Sequence, residues 1–180
     1  MLYVFFVHFL WFFGIHGTNT MEIVAQRVLE PVIAINKEVL QSGSIPTEIF
    51  SKSFLDTFAF VGGCGAALCL VIAILLVSKK SHNRKLAKVT GLSVLFNINE
   101  IVIFGFPVIF NPIMLIPFIL TPIILMLSSA FAMYFGLVPV VSHSVKWTVP
   151  IFLSGYIATD SIRGSFFTVI QSCIRGIDVY

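Results

Sequence analysis

Long apolar stretches alternate with short polar connections along this 180-residue sequence. A helix needs about 20 apolar residues to cross the hydrocarbon core of a bilayer. Residues 54–77 and 113–137 meet that length, with one charge near the start of the first and none in the second. Both segments are predicted to be spanning helices, and the glycine-rich run 62–67 is interpreted as a small-residue face for helix packing. Residues 1–13 are apolar but too short to span alone.

The segments between these stretches have a mixed pattern. Residues 21–40 interleave charged and aliphatic side chains, which predicts an amphipathic helix at the membrane interface, interrupted near Pro31. Residues 89–111 are apolar but broken by Gly, Asn, Glu and Pro, which predicts a hairpin that dips into the membrane and turns near Glu100. A polar connection is expected at 139–150, followed by short apolar pieces.

Composition agrees with a membrane protein. Hydrophobic residues make up 58% of the chain, charged residues make up 11%, and the mean hydropathy is +1.02. Soluble domains carry about 25% charged residues, so a water-soluble fold is excluded. The sequence predicts an all-α fold, a polytopic membrane helical bundle with re-entrant hairpins.

Five of the eleven basic residues fall in one acid-free run directly after the first predicted spanning helix: Lys79, Lys80, Arg84, Lys85 and Lys88. The positive-inside rule places such a loop in the cytoplasm, where it can also contact anionic lipid headgroups. A nucleic-acid partner is not expected, because no aromatic stacking pattern accompanies the charges. The three cysteines lack metal-ligand spacing, so neither a metal nor a cofactor is expected.

Glu100 directly precedes the apolar stretch 101–127, which carries prolines at positions 107, 112, 117 and 122. A carboxylate at membrane depth costs about 2.5–3.5 kcal/mol on insertion scales, so it is usually retained for a function. The prolines rule out one regular helix, and broken backbone is tolerated in a bilayer only beside protein or a watery cavity. Glu100 is therefore predicted to belong to a polar site inside a membrane protein.

The residues that could build this site with Glu100 lie in three parts of the chain. Carboxylate, imidazole and amide groups match the hydroxyls of a sugar, while an aromatic ring covers its apolar face. The two oxygens of a carboxylate can accept from two adjacent hydroxyls. The candidates are Trp11, His16, Asn19, Asn99, Glu100 and Trp147. Composition alone does not group these residues, but a family resemblance does.

Three blocks of sequence carry that resemblance. Residues 11–19, Trp-Phe-Phe-Gly-Ile-His-Gly-Thr-Asn, are similar to a characteristic helix end of one transporter family. Residues 96–118, with Phe-Asn-Ile-Asn-Glu, Ile-Phe-Gly-Phe-Pro, Asn-Pro and Ile-Pro-Phe, resemble its longest signature. Residues 147–155, with Trp-Thr-Val-Pro and Ser-Gly, resemble a third block. The family is enzyme IIC, the membrane component of the bacterial phosphotransferase system for lactose, cellobiose and diacetylchitobiose.

The resemblance implies a multi-pass sugar permease of the bacterial cell membrane, with a substrate domain that moves in an elevator fashion and a homodimer in the full-length family. It implies that His16, Asn99 and Glu100 contact sugar hydroxyls and that Trp11 and Trp147 line the pocket. A separate cytoplasmic enzyme IIB would carry phosphate on cysteine and phosphorylate the disaccharide. The chain would thus act within a phosphohistidine–sugar phosphotransferase complex, with Glu100 predicted to accept the proton of the sugar 6-hydroxyl.

Two departures from the family pattern accompany the resemblance. Ile101 follows Glu100 where the family usually has proline, which predicts a looser hairpin turn. Family members also have a preceding group of membrane helices and a further C-terminal end. Residues 1–180 are expected to be the C-terminal substrate-binding part of an enzyme IIC, with the N-terminal interface helices absent, as a fragment, a truncated product or a split subunit.

Other interpretations of the same residues stay open. Glu100 could be a structural polar group that ties the hairpin to a helix, and His16 could cap a helix end through its ring nitrogens. Trp11 and Trp147 could belong to an interfacial belt, and Asn19 could serve a turn first. For the whole chain, the alternatives are an ion-coupled transporter or channel, in which the carboxylate binds a cation or proton, and a truncated fragment without transport.

Overall fold

The computed structural model describes residues 1–106 and 108–174, with side chains up to residue 172. Within these residues the chain is helical and forms no strand, which confirms the predicted all-α fold. Two short helices, Glu22–Val24 and Lys52–Phe54, continue into π-helical turns at Ala25–Leu29 and Leu55–Ala59. The α-helices are α1 (Leu2–Phe12), α2 (Gly17–Thr20), α3 (Glu22–Val24), α4 (Pro31–Gln41), α5 (Lys52–Phe54), α6 (Ala67–Val77), α7 (Ser81–Leu95), α8 (Glu100–Gly105), α9 (Pro112–Tyr134), α10 (Ile151–Thr159) and α11 (Ile162–Ile174).

Helix α9 corresponds to the spanning helix predicted at 113–137. Asn111 caps its start, since Asn111 Oδ1 accepts the Ile113 N–H at 3.1 Å, and proline is tolerated in a first turn because its missing N–H is not needed there. The helix has 23 residues and a mean hydropathy of 2.3 in its most apolar window. Among the described residues it is the one helix long and apolar enough to cross a membrane.

The prediction of one continuous spanning helix at 54–77 is wrong. The helix that begins at Lys52 ends at Ala59, and the chain unwinds over residues 60–66, called here the first break, before α6 begins. Gly62 and Gly63 have φ values of 80° and 93°, in a region open mainly to glycine. The glycines taken for a packing face therefore interrupt the helix.

The basic run is only partly the loop that was expected. Helix α7 begins at Ser81, so Arg84, Lys85 and Lys88 lie on a helix, in keeping with the good helix propensity of Lys, Arg and Leu. Helix α7 ends at Leu95, and α8 begins at Glu100 after a turn over residues 96–99, called here the second break. The predicted turn near Glu100 is confirmed, and its depth in a membrane stays a prediction.

The remaining segments largely follow the sequence pattern. Pro31 opens α4 directly after the π-helical turn, which confirms the predicted interruption. Residues 135–150 contain no helix, as expected of a polar connection. The two short apolar pieces near the C-terminus are α10 and α11, which cross closely at two glycines, because a Cβ on Gly155 would lie 2.5 Å from Gly164 O. Residues 175–180 and Pro107 lie outside the described residues.

Helix α1 supports the start of the candidate site. It packs against α2 and α9, and Gly17, the first residue of α2, touches the backbone of Val7 so closely that any side chain there would overlap it. This contact fixes the start of α2 on α1. It places His16, the residue before Gly17, beside Trp11, with a distance of 4.5 Å between ring centroids.

Candidate functional site

His16 has two differently occupied ring nitrogens. It caps α2: Nδ1 accepts the Asn19 backbone N–H at 3.3 Å and lies 3.0 Å from Thr18 Oγ1. The other nitrogen, Nε2, lies 3.7 Å from Glu100 Oε1. The capping interpretation of His16 is therefore confirmed for one nitrogen, and it leaves the other directed to the carboxylate.

Asparagine side chains join the two breaks. Asn97 Oδ1 accepts the Gly62 N–H at 2.9 Å, and Asn99 Nδ2 donates to Cys64 O at 2.9 Å. Gly63 lies against the same turn, because a Cβ there would lie 2.7 Å from Asn99 Cγ. Buried backbone outside regular helices needs such partners. The amides supply them, and they fix the second break against the first.

Glu100 follows the second break as the first residue of α8. Its side chain is 41% exposed and that of His16 is 39% exposed. The 3.7 Å between Glu100 Oε1 and His16 Nε2 exceeds the 2.7–3.2 Å of a good hydrogen bond. Glu100 Oε2 is buried and has no hydrogen-bond partner among the described residues. The carboxylate is thus held near an imidazole without being fully satisfied by it.

The irregular segment before α10 carries Trp147 and is held at two points. Asn97 Nδ2 donates to Trp147 O at 2.5 Å and to Val149 O at 3.3 Å. The Val145 N–H donates to Ser53 Oγ at 3.2 Å. The Trp147 residue is 55% exposed. One wall therefore extends from α5 to the second break, with an indole side chain along it.

These elements enclose one cavity of about 1200 Å³. Five of the six predicted residues line it: His16, Asn19, Asn99, Glu100 and Trp147. The sixth, Trp11, is 3% exposed and packs behind the His16 ring, so it supports the imidazole from outside the cavity. Asn99 uses one N–H of its amide to donate to Cys64 O, which leaves its oxygen and its second N–H to offer a ligand.

Two features of this cavity were missed from the sequence. Lys52 Nζ contacts both oxygens of Asp56, at 2.7 and 2.5 Å, and this ion pair lines the cavity. Its i,i+4 spacing was visible in the sequence as a helix-pair signal. The second feature is Asn97, which the sequence pattern indicates only as a break in the hairpin, whereas its amide bonds both Gly62 and the Trp147 carbonyl. Within residues 1–106 and 108–174, no three His, Cys, Asp or Glu side chains group as metal ligands would.

Broken helices, a polar cavity with an incompletely satisfied carboxylate, and a long apolar helix are the features expected of an α-helical membrane protein with an internal polar site. Comparison with known proteins is more specific. The family model described as "Phosphotransferase system, EIIC" matches residues 1–122. The chain belongs to this EIIC family.

Individual relatives agree with the family match. The chain is 35% identical to the oligo-beta-mannoside-specific EIIC component of Bacillus subtilis (strain 168), over 97% of this chain and 40% of that protein. It is 30% identical to the cellobiose-specific EIIC component of Lactococcus lactis subsp. lactis (strain IL1403), over 94% of this chain and 39% of that protein.

A solved structure shows the same fold. The transporter ChbC, the IIC component of the N,N'-diacetylchitobiose-specific phosphotransferase system, is 34% identical and superposes with a TM-score of 0.91, over 97% of this chain and 41% of ChbC. The structure is thus a membrane helical bundle of the EIIC fold. The chain spans about 40% of the length of these relatives.

Proposed function

We propose that this chain forms the sugar-binding part of a permease of the phosphoenolpyruvate-dependent phosphotransferase system, and that its ligand is a β-linked disaccharide. The observation that carries the proposal is the pairing of Glu100 with His16 across a gap of 3.7 Å at one cavity wall. Relatives named for oligo-β-mannosides and cellobiose support the substrate class, as does the structural match to a diacetylchitobiose transporter.

A sugar hydroxyl placed beside the two side chains can hydrogen-bond to both, because their polar atoms lie 3.7 Å apart. A hydroxyl donates one hydrogen bond and accepts others, so it can donate to Glu100 Oε1 while it accepts from the N–H at His16 Nε2. A metal ion would instead need several oxygen ligands. Trp147, exposed at the wall of the same cavity, offers a flat apolar face for a pyranose ring. The Asn99 oxygen and the Asn19 side chain complete the proposed set of ligands.

Glu100 also suits the proton transfer that phosphorylation requires. In the proposed step, the sugar 6-oxygen attacks the phosphorus carried on a cysteine of a cytoplasmic EIIB, and its proton passes to Glu100. The new O–P bond forms as the P–S bond breaks, and the thiolate leaves with EIIB. A general base of this kind contributes about 10²–10⁴-fold in rate. Relatives named as lactose-specific EIICB components support an EIIB partner.

The membrane setting belongs to the same proposal. We infer a multi-pass protein of the bacterial cell membrane that assembles as a homodimer and contacts lipid. Apolar side chains exposed on α9, such as Ile113 and Phe131, support lipid contact. The exposed basic side chains Lys79, Lys80, Arg84, Lys85 and Lys88 support a cytoplasmic position for the start of α7.

Glu100→Gln tests the binding role, because it keeps the shape and removes the charge. We expect the Kd for cellobiose, measured by titration calorimetry on the purified chain in detergent, to rise at least about tenfold, since hydrogen bonds to a charged group contribute about 1.5–3 kcal/mol. Glu38→Gln, an exposed position on α4, is the matched control and should leave the Kd unchanged.

Two results would contradict the proposal. One is unaltered cellobiose affinity in the Glu100→Gln protein. The other is a wild-type chain that binds none of cellobiose, lactose and diacetylchitobiose. Uptake into vesicles driven by an ion gradient, without any phosphorylated EIIB, would point instead to ion coupling.

A further inference from the structure

The cavity has a second polar region, formed by Lys52 and Asp56. The Lys52 and Asp56 side chains are 16% and 12% exposed. The Lys52 ammonium donates hydrogen bonds to both Asp56 carboxylate oxygens, at 2.7 and 2.5 Å. Lys52 and Asp56 are four residues apart, across the change from α5 to its π-helical turn. π-Helical turns are rare and are frequent at functional sites. Both residues line the same cavity as Glu100.

The Lys52–Asp56 ion pair is not expected to add much to the stability of the fold. Removing two charges from water costs free energy that their attraction often fails to offset, and apolar replacements of similar volume are often neutral or stabilising. The contacts between Lys52 and Asp56 also leave some of their hydrogen-bond donors and acceptors unused. An ammonium has three N–H donors and a carboxylate has about four acceptor positions, so one donor of Lys52 and further lone pairs of Asp56 remain for a ligand.

The wall between this pair and Glu100 is continuous. Ser53, the neighbour of Lys52, accepts the Val145 N–H, and Asn97, three residues before Glu100, donates to the Trp147 carbonyl. The segment that carries Trp147 is therefore attached at one end beside the ion pair and at the other beside the carboxylate. Trp147 belongs to this segment and lines the same cavity.

The size and charge of the cavity restrict the ligand. At about 1200 Å³ it exceeds the roughly 300–1,000 Å³ of typical small-molecule sites, so it has room for more than one sugar ring. Lys52 and Asp56 neutralise each other, which gives no preference for a charged ligand. The other lining charges are also close to balance, since they comprise Glu22, Glu30 and Glu100 against Lys37 and Lys146.

We propose that Lys52 and Asp56 form a second hydroxyl-binding subsite, which holds the sugar ring that does not contact Glu100. One hydroxyl of that ring accepts from Lys52 Nζ, and a neighbouring hydroxyl donates to Asp56. The subsite gives the protein its preference for a disaccharide over a monosaccharide. This inference rests on the proposed function, because it assigns the second ring of the same ligand.

The test compares the Kd values of cellobiose and glucose in the purified chain. In the Lys52→Met/Asp56→Leu double variant, which removes both charges together, we expect cellobiose affinity to fall about tenfold or more while glucose affinity is unchanged. Glu100→Gln should instead weaken both sugars. Lys37→Met is the matched control: it removes another lysine of the cavity and should preserve the ratio of the two Kd values.

The outcomes separate this inference from the proposed function. If the double variant keeps the wild-type ratio of Kd values, the second subsite is overturned while the Glu100 site stands. If the wild-type chain binds neither sugar, both are overturned. Should the double variant fail to fold, as judged by its melting curve, Lys52→Arg provides the test: it keeps the charge but changes the donor geometry, and it should weaken cellobiose alone.

Discussion

The two breaks and helix α9 satisfy their backbone hydrogen-bonding groups in different ways. In α9 most backbone groups satisfy one another within the helix, although Pro117 and Pro122 each remove one hydrogen bond, and apolar side chains cover its surface. In the breaks the backbone leaves the helix, and the amides of Asn97 and Asn99 supply partners to the Gly62 N–H and the Cys64 carbonyl. Glu100 follows the second break directly, whereas α9 carries no charge.

Because of this difference, the stability of α9 and the geometry of the breaks depend on different kinds of contact. A regular helix depends on many contacts of similar size, so one change lowers stability without moving a distant group. The breaks depend on a few contacts between two segments, and the same contacts position the Glu100 side chain. Substitutions in the breaks should therefore affect sugar binding and stability together, whereas substitutions in α9 should affect stability alone.

Gly63→Ala should have the largest effect. The new Cβ would lie 2.7 Å from Asn99 Cγ and 2.8 Å from Asn97 O, at a φ of 93°. Left-handed backbone costs a non-glycine residue about 1–2 kcal/mol, and overpacking adds about 1–3 kcal/mol. We expect a loss of about 2–5 kcal/mol in the free energy of unfolding and loss of cellobiose binding, measured by denaturant titration in detergent and by calorimetry.

Gly136→Ala is the control that measures only the cost of placing a non-glycine residue at a positive φ. Its φ is 70°, and a Cβ there meets nothing within 4 Å. The expected cost is the conformational part, about 1–2 kcal/mol, with unchanged cellobiose binding. Equal effects of the two substitutions would mean that the contact between the breaks does not position the site.

The same contrast explains what the sequence could and could not predict. Hydropathy and length identified α9, because a self-contained helix is a local property. They failed over residues 60–66, since an apolar composition does not reveal that Gly62 and Gly63 adopt positive φ. Glu100 could be singled out as a costly charge beside a turn, but its distance from His16 depends on Asn97 and Asn99, whose partners are more than thirty residues away.

Met126→Ala should have the next largest effect, confined to stability. Met126 is 1% exposed in the core-facing side of α9, and truncation of a buried Met to Ala costs about 2–5 kcal/mol. Denaturant titration should show that loss while the Kd for cellobiose stays at its wild-type value. Ile116→Ala, on the exposed side of α9 at 63% exposure, should change stability by less than about 0.5 kcal/mol. Weakened sugar binding in Met126→Ala would break the distinction between the two regions.

Asn97→Leu should cost less stability than Met126→Ala but should impair binding. It keeps the volume and removes the partner of the Gly62 N–H, and an unsatisfied buried donor costs about 1–3 kcal/mol. It also releases the Trp147 carbonyl, so the indole wall should move and cellobiose affinity should fall. Asn83→Ala, partly exposed on α7, is the control. Wild-type affinity in Asn97→Leu would show that Trp147 is positioned by other contacts.

Thr90→Val should have the smallest effect, although Thr90 is fully buried. Its hydroxyl returns to the carbonyls of its own helix, at 3.0 Å to Leu86 and 3.3 Å to Ala87. Those carbonyls belong to regular helical turns of α7, so they keep hydrogen-bond partners when the hydroxyl is removed. We expect the free energy of unfolding to change by less than about 1 kcal/mol, with unaltered cellobiose binding. A buried polar group is therefore costly to remove from a break and dispensable in a helix. A loss in Thr90→Val as large as that in Asn97→Leu would mean that burial, and not the broken backbone, decides the cost.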